Sequence, residues 1–241
     1  MDRPKTIDHA LAGSSLGPSL EGLREIYERI DAEQAASLAA IAARGEGLSC
    51  PADCGTCCEG FVPDILPVEA RYLAAWLLRE RPALAARVLA WDDGGAPEAP
   101  PCPFHEPERP GGHCGVYPGR PLVCRLFGFA AVRDREGRPS YSLCRLMPGR
   151  GGKRSWSGAE LAGELGAELP DMASFGALAC ALVPDETGQR SLLTEALPDA
   201  LRRLSLVLRL SFLAAADRGR PDGGDEPEPE PNAPAPAPRA A

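Results

Sequence analysis

Four cysteines fall within nine residues, at Cys50, Cys54, Cys57 and Cys58. No hydrophobic core can use that density, and it constrains the chain more than any other feature. Four more follow at Cys102, Cys114, Cys124 and Cys144, and a ninth, Cys180, stands apart. A disulfide framework is the plainest alternative, but such frameworks belong to short secreted chains in oxidising compartments. Here the cysteine count is odd, the chain runs to 241 residues, and its first ten residues lack the apolar stretch of a signal peptide. Thiols grouped in this way read as metal ligands, and the compartment expected is the reducing cytoplasm.

Length and charge remove several classes of function. A chain of 241 residues buries a core without help from a metal. The formal charge is -8, and residues 219–241, with five acids and two arginines, contribute -3 of it. No basic face remains for a nucleic acid. No segment reaches the roughly 18 uncharged apolar residues of a membrane span.

Periodicity and punctuation supply the elements. Apolar residues Leu23, Ile26, Tyr27, Ile30, Leu38 and Ile41 recur at helical spacing. They predict a helix of about 24 residues from Leu20, with Ser19 as N-cap and Gly45 and Gly47 as stops. Residues 61–66 read as a short strand. Pro67 fits the first turn of a helix whose buried stripe is Val68, Tyr72, Leu73, Trp76 and Leu77, and Pro82 restarts a helix to about Ala90. Pro121 opens a helical turn carrying Cys124, and residues 127–132 and 140–143 read as a hairpin that returns the chain to Cys144. Residues 150–156 read as a basic, glycine-rich linker before helices at about 157–169, 171–182 and 189–216. In the last of these Leu201, Leu204, Val207, Leu208 and Phe212 share a face, while Leu206, Leu210 and Leu213 make it apolar nearly all round. Burial against the first helix, or a subunit contact, is expected there.

The fold class expected is α+β and mostly helical: an irregular, metal-stapled cysteine domain with a small hairpin, wrapped by N- and C-terminal helices. The boundaries expected are a disordered start at 1–17, the cysteine domain with its leading helix at 18–149, a helical region at 150–217 packing on it, and a disordered Pro/Glu/Ala-rich tail at 218–241.

Thiolates select soft or borderline metals, leaving zinc, iron–sulfur clusters and copper(I). Eight cysteines could make two four-ligand sites, or one site with spare thiols. The Cα atoms of Cys57 and Cys58 are about 3.8 Å apart, and in an extended chain their side chains face opposite ways. That sends one to each of two centres, or to different edges of one cluster. Structural zinc sites usually repeat a paired Cys-x2-4-Cys knuckle, whereas the second group here is spaced by 12, 10 and 20 residues. This favours iron–sulfur slightly over zinc. Cys50-x3-Cys54-x2-Cys57 also has the spacing of radical S-adenosylmethionine enzymes, but Thr56 stands where that family carries an aromatic residue, and no repeating strand–helix pattern follows.

The flanking residues carry two readings each. His105 and His113 are imidazole donors or exposed loop histidines, and His9 is remote from both. Arg120 and Arg125 flank Cys124, either as cations that stabilise a thiolate-rich site or as members of ordinary ion pairs. Glu69 reads as an acid complementing a helix start. Tyr117 and Phe127 read as packing around the site, and Cys180 as a small core residue.

The ordered succession Cys50-x3-Cys54-x2-Cys57-Cys58, Pro67-Val-Glu69, Cys102-Pro-Phe, Cys114-x-Val-Tyr117, Arg120-Pro121-x-x-Cys124-Arg125-x-Phe127 and a late Cys144 resembles the YkgJ-type cysteine-cluster family over about residues 48–146. The resemblance implies a zinc- or iron-chelating domain and leaves its physiological role open. One branch is similar to flagellin lysine methylases, so a metal-dependent enzyme of methyl-transfer or radical type is the alternative, and a zinc-stapled interaction module the third reading. His105 stands where the family often has an aliphatic residue. No Ser/His/Asp set, phosphate loop or carboxylate pair stands out, and no catalytic residue is assigned.

Overall fold

The computed structural model describes residues 3–45, 47–50, 54–93, 101–109, 113–147, 153–166 and 168–218. The expected tail lies almost wholly outside them. In chain order the helices are α1 (Arg3–Ala12), α2 (Gly17–Ala43), α3 (Thr56–Glu59), α4 (Pro67–Glu80), α5 (Pro82–Leu89), α6 (Leu122–Leu126), α7 (Gly158–Leu165), α8 (Met172–Ala181) and α9 (Leu193–Arg218). The strands are β1 (Asp64–Ile65), β2 (Val132–Arg133), β3 (Pro139–Ser142), β4 (Ser155–Ser157) and β5 (Ser191–Leu192). The mostly helical α+β class is as expected.

Three apolar clusters organise these elements. The largest lies between α4 and α9, where Leu73, Ala74 and Leu77 meet Leu197, Leu201 and Leu204, all fully buried. Burial of this kind contributes roughly 1.5–3 kcal/mol per large side chain. A short antiparallel ladder starts both helices together: Asp64 pairs with Leu192, Ile65 with Ser191, and the Leu193 N–H donates to the Pro63 carbonyl at 2.8 Å. The last helix therefore begins at Leu193 rather than near 189. It packs on α4, α5 and α1, in place of the first predicted helix. Leu206, Leu210 and Leu213 remain exposed on its far side.

The start of the chain corrects a second expectation. Residues 3–12, expected to be disordered, are helical, and Ile7 and Leu11 join the α4/α9 cluster. The turn into α2 requires glycine, because a Cβ on Gly17 would meet the carbonyl oxygens of Ala12 and Leu11 at 2.7 and 2.9 Å. Pro18 fills the first turn of α2. The helix thus begins ahead of Ser19, whose hydroxyl donates back to the Leu16 carbonyl at 3.0 Å instead of capping.

The long α2 spans the other two clusters. Its Leu23, Tyr27 and Ile30 pack with Leu122 and Leu126 of α6 and Phe175 of α8. Its far end places Ile41 against Tyr141, Trp156, Leu161 and Leu165. There the expected hairpin acquires a third strand in the order β2-β3-β4, with Tyr141 opposite Trp156. The two rings stack at 5.7 Å. Trp156 falls at the end of the expected linker, but its buried indole makes that segment a strand instead. Residues 150–152 lie outside the described residues. Glu160, accepting from the Ser157 N–H at 3.0 Å, starts α7, and left-handed Gly166 (φ 68°) ends it sooner than expected. No helix of the described residues is long and apolar enough to cross a membrane.

Candidate metal centre

The cysteine loops occupy one edge of this frame, and backbone hydrogen bonds gather them. Cys57 and Cys58 lie on α3, a single helical turn entered through Gly55. Consecutive side chains there are about 100° apart, so the extended geometry that would turn them to opposite sides does not apply. The Cys102 N–H donates to the Cys58 carbonyl at 2.7 Å, tying the second cysteine group to the first. The chain then turns, with the His105 N–H on the Cys102 carbonyl at 2.9 Å, and pairs antiparallel so that His105 faces Cys114. Glu106 N–H to His113 carbonyl (2.8 Å) and Gly115 N–H to Phe104 carbonyl (2.9 Å) complete that small ladder.

A 3-10 turn at Tyr117–Gly119 follows. It lies so close to α4 that a Cβ on Gly119 would meet Leu73 and Trp76 at 3.0 Å. Next comes α6, which carries Cys124. Glu69, only 2% exposed, holds its start. One carboxylate oxygen accepts from the Leu122 N–H at 2.6 Å and the Tyr27 hydroxyl at 3.0 Å, and the other from the Leu66 N–H at 2.9 Å. Glu69 thus complements the start of α4, as its position predicted, and also that of α6. The second role has no local signature, since Leu122 is 53 residues away.

All nine cysteines are free thiols. The Cys58 thiol lies within hydrogen-bonding reach of the Cys114 and Cys57 sulfurs. Its proton, shared with them, lowers Cys57 to about 6 and Cys114 to about 7, while Cys58 itself is pushed far up. Burial pushes Cys102 up to about 11, and Cys124 higher still, where the charges of Cys102 and Cys114 add to it. Cys50 is also raised, by burial and then by Cys54, Cys144 and Cys57. Two neighbourhoods result. Cys58, Cys102, Cys114 and Cys124 make one, Cys50, Cys54 and Cys144 the other, and Cys57 borders both. Cys180 is apart from them, half-buried against the α2/α6/α8 cluster.

The two arginines beside Cys124 separate cleanly. The positive charge of Arg120 acts on Cys50, Cys57, Cys114 and Cys124. Its guanidinium lies 3.8 Å over the Tyr117 ring, with Nε buried and unpartnered. Arg125 turns away into the protein, 5% exposed. It donates to Asp31 Oδ2 at 2.7 Å, to the Arg120 carbonyl at 3.1 Å and to the Pro118 carbonyl, and stacks 4.2 Å over Tyr27. Arg120 therefore serves the thiols and Arg125 the fold. Tyr117 and Phe127, expected as packing, are 48% and 44% exposed. Tyr117 carries Arg120, and Phe127 stacks on Phe61 at 6.3 Å.

Among the described residues, no group of three or more His, Cys, Asp or Glu side chains converges as a ready-made coordination shell. Residues 51–53 and 110–112, inside the two cysteine loops, lie outside that description. The donor chemistry nevertheless suits a borderline metal. Free thiols with lowered pKa stand beside a cation, and the buried nitrogens His105 Nε2 and His113 Nδ1 have no hydrogen-bond partner.

Fold and site together define a helical α+β protein whose ordered frame presents a cysteine-rich loop cluster of chelating type. Residues 49–145 match the family model CxxCxxCC, described as "Putative zinc- or iron-chelating domain", which is the family that the order of motifs resembles. No curated protein and no solved structure matches the chain.

Proposed function

We propose that this protein binds zinc or iron through Cys50, Cys54, Cys57, Cys58, Cys102, Cys114, Cys124 and Cys144, in a reducing compartment, and that the bound metal draws the two cysteine loops into their final order. The observation that carries this reading is the gathering of the two cysteine loops, with the Cys102 N–H on the Cys58 carbonyl at 2.7 Å and Cys114 paired across the ladder from His105. The lowering of the Cys57 and Cys114 thiols toward thiolate agrees with it. Thiolate is the form that ligates. Residues 54–60, 105–109 and 113–115 of these loops place no large apolar side chain in the core, so a metal crosslink offsets the entropy of ordering them. The dispersed spacing of the second cysteine group favours an iron–sulfur centre over zinc.

Elemental analysis of anaerobically purified protein, with its absorption spectrum, tests the reading. Stoichiometric iron with broad charge-transfer absorbance supports a cluster, and stoichiometric zinc with no colour supports the zinc form. Protein purified free of both metals, and unable to take up either on reconstitution, would refute the proposal.

A further inference from the structure

His105 and His113 are eight positions apart in the sequence, yet the backbone sets them side by side. His105 pairs with Cys114 across the small ladder, and Glu106 N–H to His113 carbonyl adds the next rung. The two rings lie 5.6 Å apart between centroids, tilted by 38°. Facing them is the turn between Cys54 and Cys57: a Cβ on Gly55 would run into the His113 ring. Glycine at that position admits the imidazole against the first cysteine loop.

Both rings also hold a nitrogen that nothing satisfies. His105 Nε2 and His113 Nδ1 are buried without a hydrogen-bond partner. A buried, unpartnered polar atom costs about 1–3 kcal/mol and calls for a physical reason. A metal is the partner that fits both at once. Two imidazoles on one zinc or iron, each bound at about 2.0–2.1 Å, would have centroids about 5 Å apart in tetrahedral geometry, close to the separation found here.

We propose that His105 and His113 are imidazole ligands of the metal held by the cysteine cluster, bound through Nε2 and Nδ1, so that the centre has mixed nitrogen and sulfur coordination. The inference rests on the metal-binding reading above. It explains why a histidine occupies position 105, and it places both histidines between Cys102, Cys114 and the Cys54–Cys57 turn. A neutral imidazole adds no negative charge, so a centre ligated in part by histidine is less anionic than one closed by thiolates alone.

X-ray absorption at the metal edge of the untagged full-length protein, loaded with whichever metal it retains, tests this directly. The expected spectrum contains the outer-shell scattering of imidazole, falling to about half in His105→Leu and in His113→Leu and vanishing in the double variant. The wild-type spectrum alone is decisive if a variant fails to fold. A sulfur-only shell at full metal content would overturn the histidine assignment and leave the metal-binding reading intact. Imidazole scattering that persists in a folded double variant would overturn it too. Absence of any stoichiometric metal in the wild type would instead remove the underlying reading.

Discussion

Glu69 accepts the backbone N–H of Leu122 at 2.6 Å, so a carboxylate on α4 starts the short helix that presents Cys124. The same side chain accepts from Tyr27 and Leu66, making it the point where α2, α4 and α6 are joined. Glu69→Ala should leave these donors buried and unpaired, at roughly 1–3 kcal/mol for each that finds no water. Denaturant unfolding should show a lower midpoint with unchanged slope, and metal retention should fall because α6 loses its anchor. Unchanged stability would show that the network contributes nothing.

The two arginines should respond in opposite ways. Arg125→Gln removes buried hydrogen bonds to Asp31 and to the Arg120 carbonyl, and should destabilise the fold by about 1–3 kcal/mol. Arg120→Gln should leave the melting temperature nearly unchanged but weaken metal binding, or lower the reduction potential of a cluster, since a cation beside an anionic centre favours its reduced form. Equal effects of the two substitutions on both readouts would contradict the assignment.

Alkylation of chelator-treated protein should follow the thiol environment. Cys57 is exposed and lowered to about 6, so its modification by iodoacetamide should already be near its plateau at pH 7, and should fall off as the pH drops through about 6. Cys102, buried and raised to about 11, should stay unmodified until the pH is far higher. In Cys58→Ala the Cys57 profile should move up toward the ordinary thiol range of about 8.5, because the donor that holds its thiolate is gone. Mass spectrometry of peptides quenched across a pH series reads all three outcomes.

Single cysteine replacements should divide by location. Cys54→Ser or Cys124→Ser should reduce bound metal and loosen both cysteine loops, because binding energy at such a site is also folding energy. Cys180→Ser, half-buried away from the loops, should keep full metal content and change stability by less than about 1 kcal/mol. Full metal content in a Cys54→Ser, Cys124→Ser double variant would sink the ligand assignment.

Metal removal should act regionally. Hydrogen exchange after chelation should rise at residues 54–60, 105–109 and 113–115, which place no large apolar side chain in the core. The α4/α9 pair, with Leu73, Leu77, Leu201 and Leu204 fully buried, should keep its protection. Uniform loss of protection would mean that the loops and the helical frame unfold as one unit.

Much of this was legible locally. The cysteine spacing carried the donor chemistry and the family resemblance, because ligand type and sequence separation are properties of short segments. Pro67, Pro82 and Pro121 marked their helix starts through the fixed φ and missing N–H of proline. The interior helices followed from apolar residues at helical spacing. The tertiary structure decided what depends on partners far along the chain. Arg125 belongs to the fold because it meets Asp31, 94 residues away, whereas Arg120 belongs to the thiols, and no local pattern distinguishes two arginines five residues apart. The N-terminal helix exists because Ile7 and Leu11 find α4 and α9, and Ser155–Ser157 is a strand because Trp156 finds Tyr141. The side-by-side placement of His105 and His113 comes from a backbone ladder across a loop of low periodicity. In each case the deciding energy lies in burial and pairing between distant residues, which a short stretch of sequence does not encode.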